Sequence, residues 1–472
     1  MWFPRYLIVV PCLGALIGCT DSIQKEAEVP HLQVALPENW TAPGRAAATQ
    51  SDSETIAGAS RDLSGSIGSW LGDFDDPTLH ALVEEAVGKN FDLKVALARL
   101  KAARARAERE VAEKLPDVTT DFSASRSKSG TSGTISNNFD LGMNVSWEFD
   151  LWKRLDNAAK AAVVEAKAEQ ADHQMARLAL AANVTNAWFD AIESDQQLHL
   201  AEKTVVNFEN SLRTIEQRYR LGIGLALDVH LARANAATAR SQREIRARKK
   251  DTAVRSLEIL LGRYPAAALS VQRNLPRLRR KVPIDLPSDL LNRRPDIIAA
   301  NARLLAKGHH LAIARANRLP SVRLTAGGRT ASTELRDLLS LDSLAWSLIG
   351  NLTHPLWDGG QLSAEVDIAV ADQQQAGAKY AAVVLGAFRE VESALTAEVL
   401  LANQEAALKI ATQEAKTAAI LALDQYRQGL SDIVTLLSTQ RRESNAKSSL
   451  LSITKQRLNA RVDLYLALGG GF

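Results

Sequence analysis

The strongest constraint on this chain is an internal duplication. A segment reading LPDVTTDFSASRS, then NNFDLGMNVSWEFDLW, then a long Ala-rich stretch recurs as LPSVRLTAGGRT, SLAWSLIGNLTHPLW and a second such stretch. Pro116 pairs with Pro320, Trp152 with Trp357, Tyr219 with Tyr426 and Gly222 with Gly429, at a steady offset of about 205 residues. Self-similarity at a fixed spacing means one supersecondary unit used twice. Each unit reads as two strands followed by two helices.

The strands are marked by a change of period. Phe139, Leu141, Met143, Val145, Trp147 and Phe149 alternate with Asp140, Gly142, Asn144, Ser146 and Glu148. Strict alternation is the signature of a strand with one apolar and one wet face. Val118, Thr120, Phe122 and Ala124 give a weaker strand before it, with Gly130 to Asn138 as the polar loop between them. The second copy repeats this with Val322, Leu324 and Ala326, then Leu344, Trp346, Leu348 and Leu352. The expected strands are 117–128 and 138–150, then 321–331 and 343–355. Between Asp156 and about Leu221 there is neither Pro nor Gly, and Leu198, Ala201, Val205, Phe208, Leu212, Ile215 and Tyr219 trace a coiled-coil seam. A helix of that length is a rod of roughly 100 Å. Gly222 and Gly224 break it, as Gly429 breaks its counterpart. Helical hairpins are expected over 156–261 and 361–468. The first repeat then covers 70–262, a basic, Pro-containing connection 263–287, and the second repeat 288–472.

No stretch beyond the N-terminus approaches the ~20 apolar residues of a spanning helix. Any crossing must therefore use strands. Strands of about ten residues with alternating polarity suit a transmembrane barrel. Four cannot close one, because an open edge in hydrocarbon leaves backbone groups unpaired. Several copies must share a barrel: at least two, and three would give twelve strands. The helices carry Glu202, Lys203, Arg213 and Glu216, so they extend the barrel as a water-filled tube rather than enter lipid. The alternative is an ordinary soluble sheet covering the helices. With 57 basic against 54 acidic residues, the chain has no field that would favour nucleic acid.

At the N-terminus Arg5 precedes the apolar run Leu7–Gly18, too short for a spanning helix and consistent with a signal peptide over 1–18. Leu16-Ile17-Gly18-Cys19 resembles the bacterial lipoprotein box, which implies cleavage before Cys19 and lipid on that residue. The alternative is a plain secretory signal with an incidental cysteine. Cys12 and Cys19 are both in this region, so the processed chain would be stabilised by packing without disulfides. Residues 19–69 are rich in Pro, Ser, Gly, Ala and Thr and read as an extended lead.

Further motifs carry a family resemblance. They are GDFDDPTLHALVEEAVGKNFDLKVALARLKAARA at Gly72–Ala105, LPSDLLNRRPDIIAA at Leu286–Ala300, LPSVRL, WDGGQ, and the paired tips YRLGIGLALDV and YRQGLSDIVTLLSTQ. Over nearly the whole mature chain the sequence resembles the TolC-type outer-membrane efflux channels, in their lipoprotein (NodT-like) branch. The resemblance implies a mainly α fold with a small β part. It also implies a homotrimer: a twelve-stranded transmembrane β-barrel continued by a periplasmic α-helical barrel. The implied function is passive conduction of small molecules or drugs across the outer membrane. The implied partners are a periplasmic membrane-fusion adaptor and an inner-membrane pump of the resistance-nodulation-division type. The alternatives are a type I protein secretion channel, or a lipid-anchored periplasmic coiled-coil scaffold without a pore.

The resemblance also assigns residues. Asp228 stands where the family's first tip carries an acidic gate residue. In the second tip Thr435 and Ser438 stand where relatives often have Asp, and Asp432 lies earlier, as a substitute or as a helix cap. Gly222, Gly224 and Gly429 reverse the hairpins, and the tips are the family's adaptor contact. Arg293, Arg294, Pro295 and Asp296 form the hallmark cluster, read as fold-specifying: Pro295 opens a helix, Asp296 favours its positive end, and the arginines clamp carboxylates or carbonyls. No phosphate-loop or zinc motif is present in the sequence, and neither an enzyme, a metal nor a cofactor is expected. His309-His310 read as a solvated helix face, and the adjacent pairs Asp75-Asp76 and Glu84-Glu85 as groups with nothing to shift them.

Overall fold

The computed structural model describes Trp40 and residues 70–130, 133–272, 274–278, 282 and 290–470. The expected signal peptide, Cys19, the lead apart from Trp40, and Leu286–Asp289 of the LPSDLLNRRPDI motif lie outside the described residues. The elements in chain order are α1 (Pro77–Lys89), α2 (Phe91–Ala112), β1 (Asp117–Lys128), β2 (Ile135–Phe149), α3 (Arg154–Arg220) and α4 (Ala226–Leu260). Then come α5 (Leu290–Arg293), α6 (Pro295–Ala316), β3 (Ser321–Ser332), β4 (Leu344–Thr353), α7 (Gln361–Gln428) and α8 (Ile433–Ala467).

The chain divides into two compact units, one comprising Ala98–Gln170 with Ala299–Ala382, the other Ala35–Leu97, Ala171–Ile298 and Val383–Phe472. The first holds the sheet. Its strands form an antiparallel meander in the order β1-β2-β3-β4, leaving β1 and β4 as edges. β2 begins at Ile135, so the loop before it is shorter than the polar stretch Gly130–Asn138. Ser136, Asn137 and Asn138 pair with Ser127, Arg126 and Ser125, where the backbone ladder overrides side-chain polarity. Both long helices that follow a strand pair start beneath an aspartate. Asp150 accepts from the Leu155 and Asp156 N–H groups at 3.0 and 2.8 Å. Asp358 accepts from Gly360 and Leu362 at 2.9 and 2.8 Å. Donors left unpaired by a helix start are satisfied in this way, and the carboxylate meets the positive helix end.

His309 in this unit departs from the solvated-face expectation. It is half-buried, with Nδ1 2.9 Å from Asn157 Oδ1, and burial together with Lys160 pushes its pKa down. His310 reaches Glu165 at 3.1 Å.

The second unit contains the main core. Trp70, Phe74, Leu79, Trp188, Phe189, Ile192, Leu257, Leu261 and Tyr465 cluster with almost no exposure. Trp70 stacks on Tyr465 with centroids 5.5 Å apart, and Phe74 packs on Phe189 at 5.2 Å. Asp76 sits inside this core, only 3% exposed. One oxygen caps α1 through Thr78 and Leu79, at 3.0 and 3.2 Å. The other accepts from Trp188 Nε1 at 2.8 Å and Gln272 at 2.6 Å. Glu85 likewise has a strong partner: Arg263 donates to it at 2.8 Å and, with Lys89, holds its pKa down to about 2. Neither carboxylate is the uncommitted group that sequence adjacency suggests, because Trp188, Gln272 and Arg263 reach them from far along the chain.

Candidate functional site

The sheet presents two chemically distinct faces. Register places Asp121, Gly142, Arg329 and Ala345 in one cross-strand row, and Thr119, Asn144, Gly327 and Ser347 in the next. Glu148, Arg323 and Asn351 share a further row on the same side. The intervening residues point the other way, as alternation requires. They are Val118, Phe122, Leu141, Met143, Val145, Trp147, Leu324, Leu344, Trp346, Leu348 and Leu352. Several are openly exposed, Trp346 to 78% and Leu352 to 72%. A contiguous apolar face of this kind on an exported protein marks a surface that meets lipid or another chain.

The wet face is knit by charge. Arg329 Nε lies 2.9 Å from the buried Asp140 Oδ1, and its Nη2 lies 3.9 Å from Asp121. Asn144 donates to Asp121 at 3.2 Å. Glu148 accepts two bonds from Arg154, at 3.0 and 2.7 Å, with Arg323 3.7 Å away. The sequence pattern marked this face as polar. It could not reveal the Arg329 and Arg323 pairs, because β2 and β3 are joined only by tertiary register.

The helix tips belong to the second unit. At the first, Gly222 has φ 74°, and the N–H groups of Gly222 and Ile223 bond back to the Tyr219 and Arg218 carbonyls. This is the reversal that an L side chain resists. Gly224 is different: its φ is not positive, but a Cβ there would come within 3.1 Å of Tyr219 N, so its role is close approach. At the second tip, Gly429 has φ 78°, and Gly429 and Leu430 bond back to Tyr426 and Gln425. Asp432 caps α8 through the Thr435 N–H at 2.6 Å. That contact holds its carboxyl below the usual carboxylate range. Asp228 lies in the first turn of α4, whose N-cap Leu225 offers no side-chain bond. Ser438 is turned to the helix itself, its Oγ donating to the Thr435 carbonyl at 3.0 Å.

Arg218 ties the two tips together. Its guanidinium donates to the Tyr426 carbonyl at 3.2 Å and lies 5.1 Å from the centre of the Tyr426 ring. Tyr426 is pushed up in pKa by burial, with Asp228 adding in the same direction against Arg218. Behind the tips, three hydrogen-bonded pairs of uncharged residues join α3 to α8, and farther on Lys455 pairs with Asp190 at 2.7 Å. Gln197 and Ser448 exchange bonds at 2.8 and 2.9 Å, Thr204 meets Ser444 at 3.0 Å, and Gln440 donates to Ser211 at 3.0 Å. Gln197, Thr204 and Ser211 recur at heptad spacing, a signal visible in the sequence but masked by the apolar seam beside it.

In the Arg-Arg-Pro-Asp cluster, Pro295 opens α6. Arg294 is 3% exposed and fans out to Asp296 at 2.6 Å, Glu390 at 2.8 Å and the Ala467 carbonyl at 3.1 Å. Burial opposes its charge, and the two carboxylates more than offset that. Glu258, which no sequence motif singles out, is buried too. The N–H groups of Ala267, Ala268 and Leu269 converge on its carboxylate at 2.7–3.1 Å and outweigh the burial that opposes its ionisation. Both clusters pin distant segments to helices, and Glu258 also lines an open groove with Thr78, Glu85 and Arg263.

Comparison with known proteins places this geometry in a family. Residues 82–263 and 286–470 match the model of the outer membrane efflux protein family. Outer membrane protein OprJ of Pseudomonas aeruginosa is 32% identical over 413 residues, covering 85% of this chain and 86% of that protein. The pyoverdine export outer membrane protein OpmQ of Pseudomonas putida is 30% identical over 491 residues, covering 100% of this chain and 98% of its own. Among solved structures, the CmeC outer membrane channel of Campylobacter jejuni superposes with a TM-score of 0.81 at 25% identity, over 93% of this chain and 94% of that one. With 82–263 and 286–470 matched by the family model and the fold shared with a solved outer-membrane channel, the chain belongs to the outer membrane efflux protein family and is the outer-membrane channel component of an efflux system.

Proposed function

We propose that three copies of this chain close one twelve-stranded barrel in the outer membrane, β1 of each copy pairing with β4 of the next. The helices would continue it as a tunnel into the periplasm. One observation carries this reading: a four-stranded meander with an apolar face, a charged face and two open edges. In hydrocarbon each unpaired backbone group costs several kcal/mol, and only closure removes the edges. The charged face then lines water and the apolar face meets lipid.

In this reading the chain is a passive conduit for small molecules, without catalysis or cofactor, and energy for transport comes from its partners. Those partners are a periplasmic adaptor and an inner-membrane pump of the resistance-nodulation-division type. Leu221, Ile223, Leu225, Leu227 and Leu430 are all more than 60% exposed around the two tips. They give an adaptor an apolar surface to dock on. Asp228 would form the acidic ring of the periplasmic mouth, with Asp432 adding charge while it caps α8. Cys19 would carry the lipid after removal of 1–18, with 19–69 as the lead to two repeats, 70–262 and 288–472, joined by 263–287.

The mass of the complex in detergent and conductance in planar bilayers test this together. A trimer that conducts is expected. A folded monomer would defeat the shared barrel, a dimer would refute its stoichiometry, and a trimer without conductance would leave only a scaffold. Separately, Cys19→Ser should abolish fatty-acid labelling, and persistent labelling would reject the lipid assignment.

A further inference from the structure

The row Asp121–Gly142–Arg329 is built around an omission. Gly142 stands between the two charged residues in register. A Cβ on it would come within 2.5 Å of Asp121 Oδ1. The side chain missing at Gly142 leaves the space in which Asp121 lies across the sheet beside Asn144, within reach of Arg329. Gly327, in the next row, clears Asn144 Oδ1 in the same way, its missing Cβ being 3.0 Å from that atom. Arg329 is the single cation between two carboxylates. It makes a close ion pair, rather than a hydrogen bond, with Asp140, and a longer one with Asp121. Phe122, Leu141 and Met143 project from the opposite face at the same level, so the group lies at the depth of the apolar band.

The formal charges of this group sum to minus one per chain. Further along β2 the group Glu148, Arg154 and Arg323 sums to plus one. Glu148 lies six positions beyond Gly142, about 20 Å along the strand. We propose that Asp121, Arg329 and Asp140 form a cation-favouring band part-way along the lumen, and that Arg329 sets its strength. This rests on the shared-barrel reading, in which three such groups ring one water-filled passage. A ring of like net charge raises the local concentration of counter-charged permeants and lowers that of co-charged ones. The band is distinct from the helix tips: it would grade what passes the barrel, whatever the tips admit.

A local reporter separates this band from the mouth. Ser347 lies on the wet face of β4, one row from Arg329, and is exposed. A Ser347→Cys variant is probed from the extracellular side with two methanethiosulfonates of similar size, one carrying a trimethylammonium group and one a sulfonate. The parent chain supplies the background for Cys12 and Cys19. The readout is the ratio of the cationic to the anionic modification rate. One unit charge about 8 Å away in water changes that ratio about fivefold. Arg329→Gln should raise it by about that factor, Asp121→Asn, three strands and about 15 Å from the reporter, should lower it about twofold, and Arg329→Lys should leave it near the parent value. An unchanged ratio in both charge variants would overturn the band while leaving the barrel intact. If Ser347→Cys in the assembled protein reacts with neither reagent while Leu348→Cys on the opposite face does, the lumen assignment itself fails and the band with it.

Discussion

At the first tip Gly222 takes φ 74°, at the second Gly429 takes φ 78°, and each is followed by the same pair of bonds back into the preceding helix. The next few residues diverge. Asp432 closes the start of α8 by accepting the Thr435 N–H. In the first tip the corresponding cap, Leu225, has no oxygen to offer, and Asp228 sits inside the first turn of α4 instead. A duplicated backbone has thus been kept while the acidic side chain changed position. The lesson is that a carboxylate near a helix start is defined by its offset. At the cap it is tied to an amide, and within the first turn it leaves the capping position to a residue that makes no side-chain bond.

The largest expected effect tests the sameness of the two turns. Gly222→Val and Gly429→Val should each cost about 1–2 kcal/mol, because a side chain resists the left-handed backbone. Nothing lies within 4 Å of either would-be Cβ, so the penalty is purely conformational and should match at the two tips. Hydrogen exchange in the last turns of α3 and α7 reports it, and a large difference between the tips would break the comparison.

Next in size is the capping contrast. Asp432→Ala should speed exchange of the amides at the start of α8, with Asp432→Asn restoring most of the protection, since asparagine caps nearly as well. Asp228→Ala should leave the start of α4 unchanged. Equal effects at both positions would erase the distinction drawn here.

The same contact sets a pH dependence. The Thr435 N–H holds the Asp432 carboxyl below its ordinary value. A depressed folded-state pKa gives stability that is present above the unfolded value, about 3.9, and is lost as pH falls through the lower folded one. Protection at the start of α8 should therefore decline below about pH 4 in the native protein. The decline should vanish in Asp432→Asn, and a decline that persists there belongs to another group.

The smallest structural effect and the most direct functional one belong to Asp228→Ala. Stability should change by no more than about 0.5 kcal/mol, as at an ordinary surface site. The reversal potential under a salt gradient should move toward a weaker cation preference, with basal conductance raised. If neither electrical quantity moves, Asp228 is only a charge matched to the helix dipole.

Much of this was legible in the sequence wherever a periodic signal stood alone. The strict alternation of β2 located both faces of the sheet, and the glycines marked both reversals. What the sequence could not supply was pairing between distant segments. Arg329 meets Asp140 only because β3 lies beside β2 in one register. Asp76 and Glu85 looked idle until Trp188, Gln272 and Arg263 were brought to them. Gly222 and Gly224 looked equivalent, yet one needs an unusual backbone angle and the other needs room. For Asp432 the sequence offers mouth charge or cap, and the Thr435 contact adds the cap without excluding the charge.

The three uncharged pairs between α3 and α8 have a mechanical consequence. From Gln197 to Ser211 is about 21 Å along α3, whereas from Ser448 to Gln440 is about 12 Å along α8. The rungs therefore converge, and the mismatch is taken up by the two glutamines at the ends, whose side chains are long enough to lean. An apolar knob must leave its hole before one helix can slide on another, whereas a leaning amide can follow its partner or trade it for the next hydroxyl. Along such a seam hydrogen bonds can be exchanged one at a time, so a shift of α3 on α8 would not require every polar contact to break at once, whereas the Lys455–Asp190 ion pair farther along would have to part.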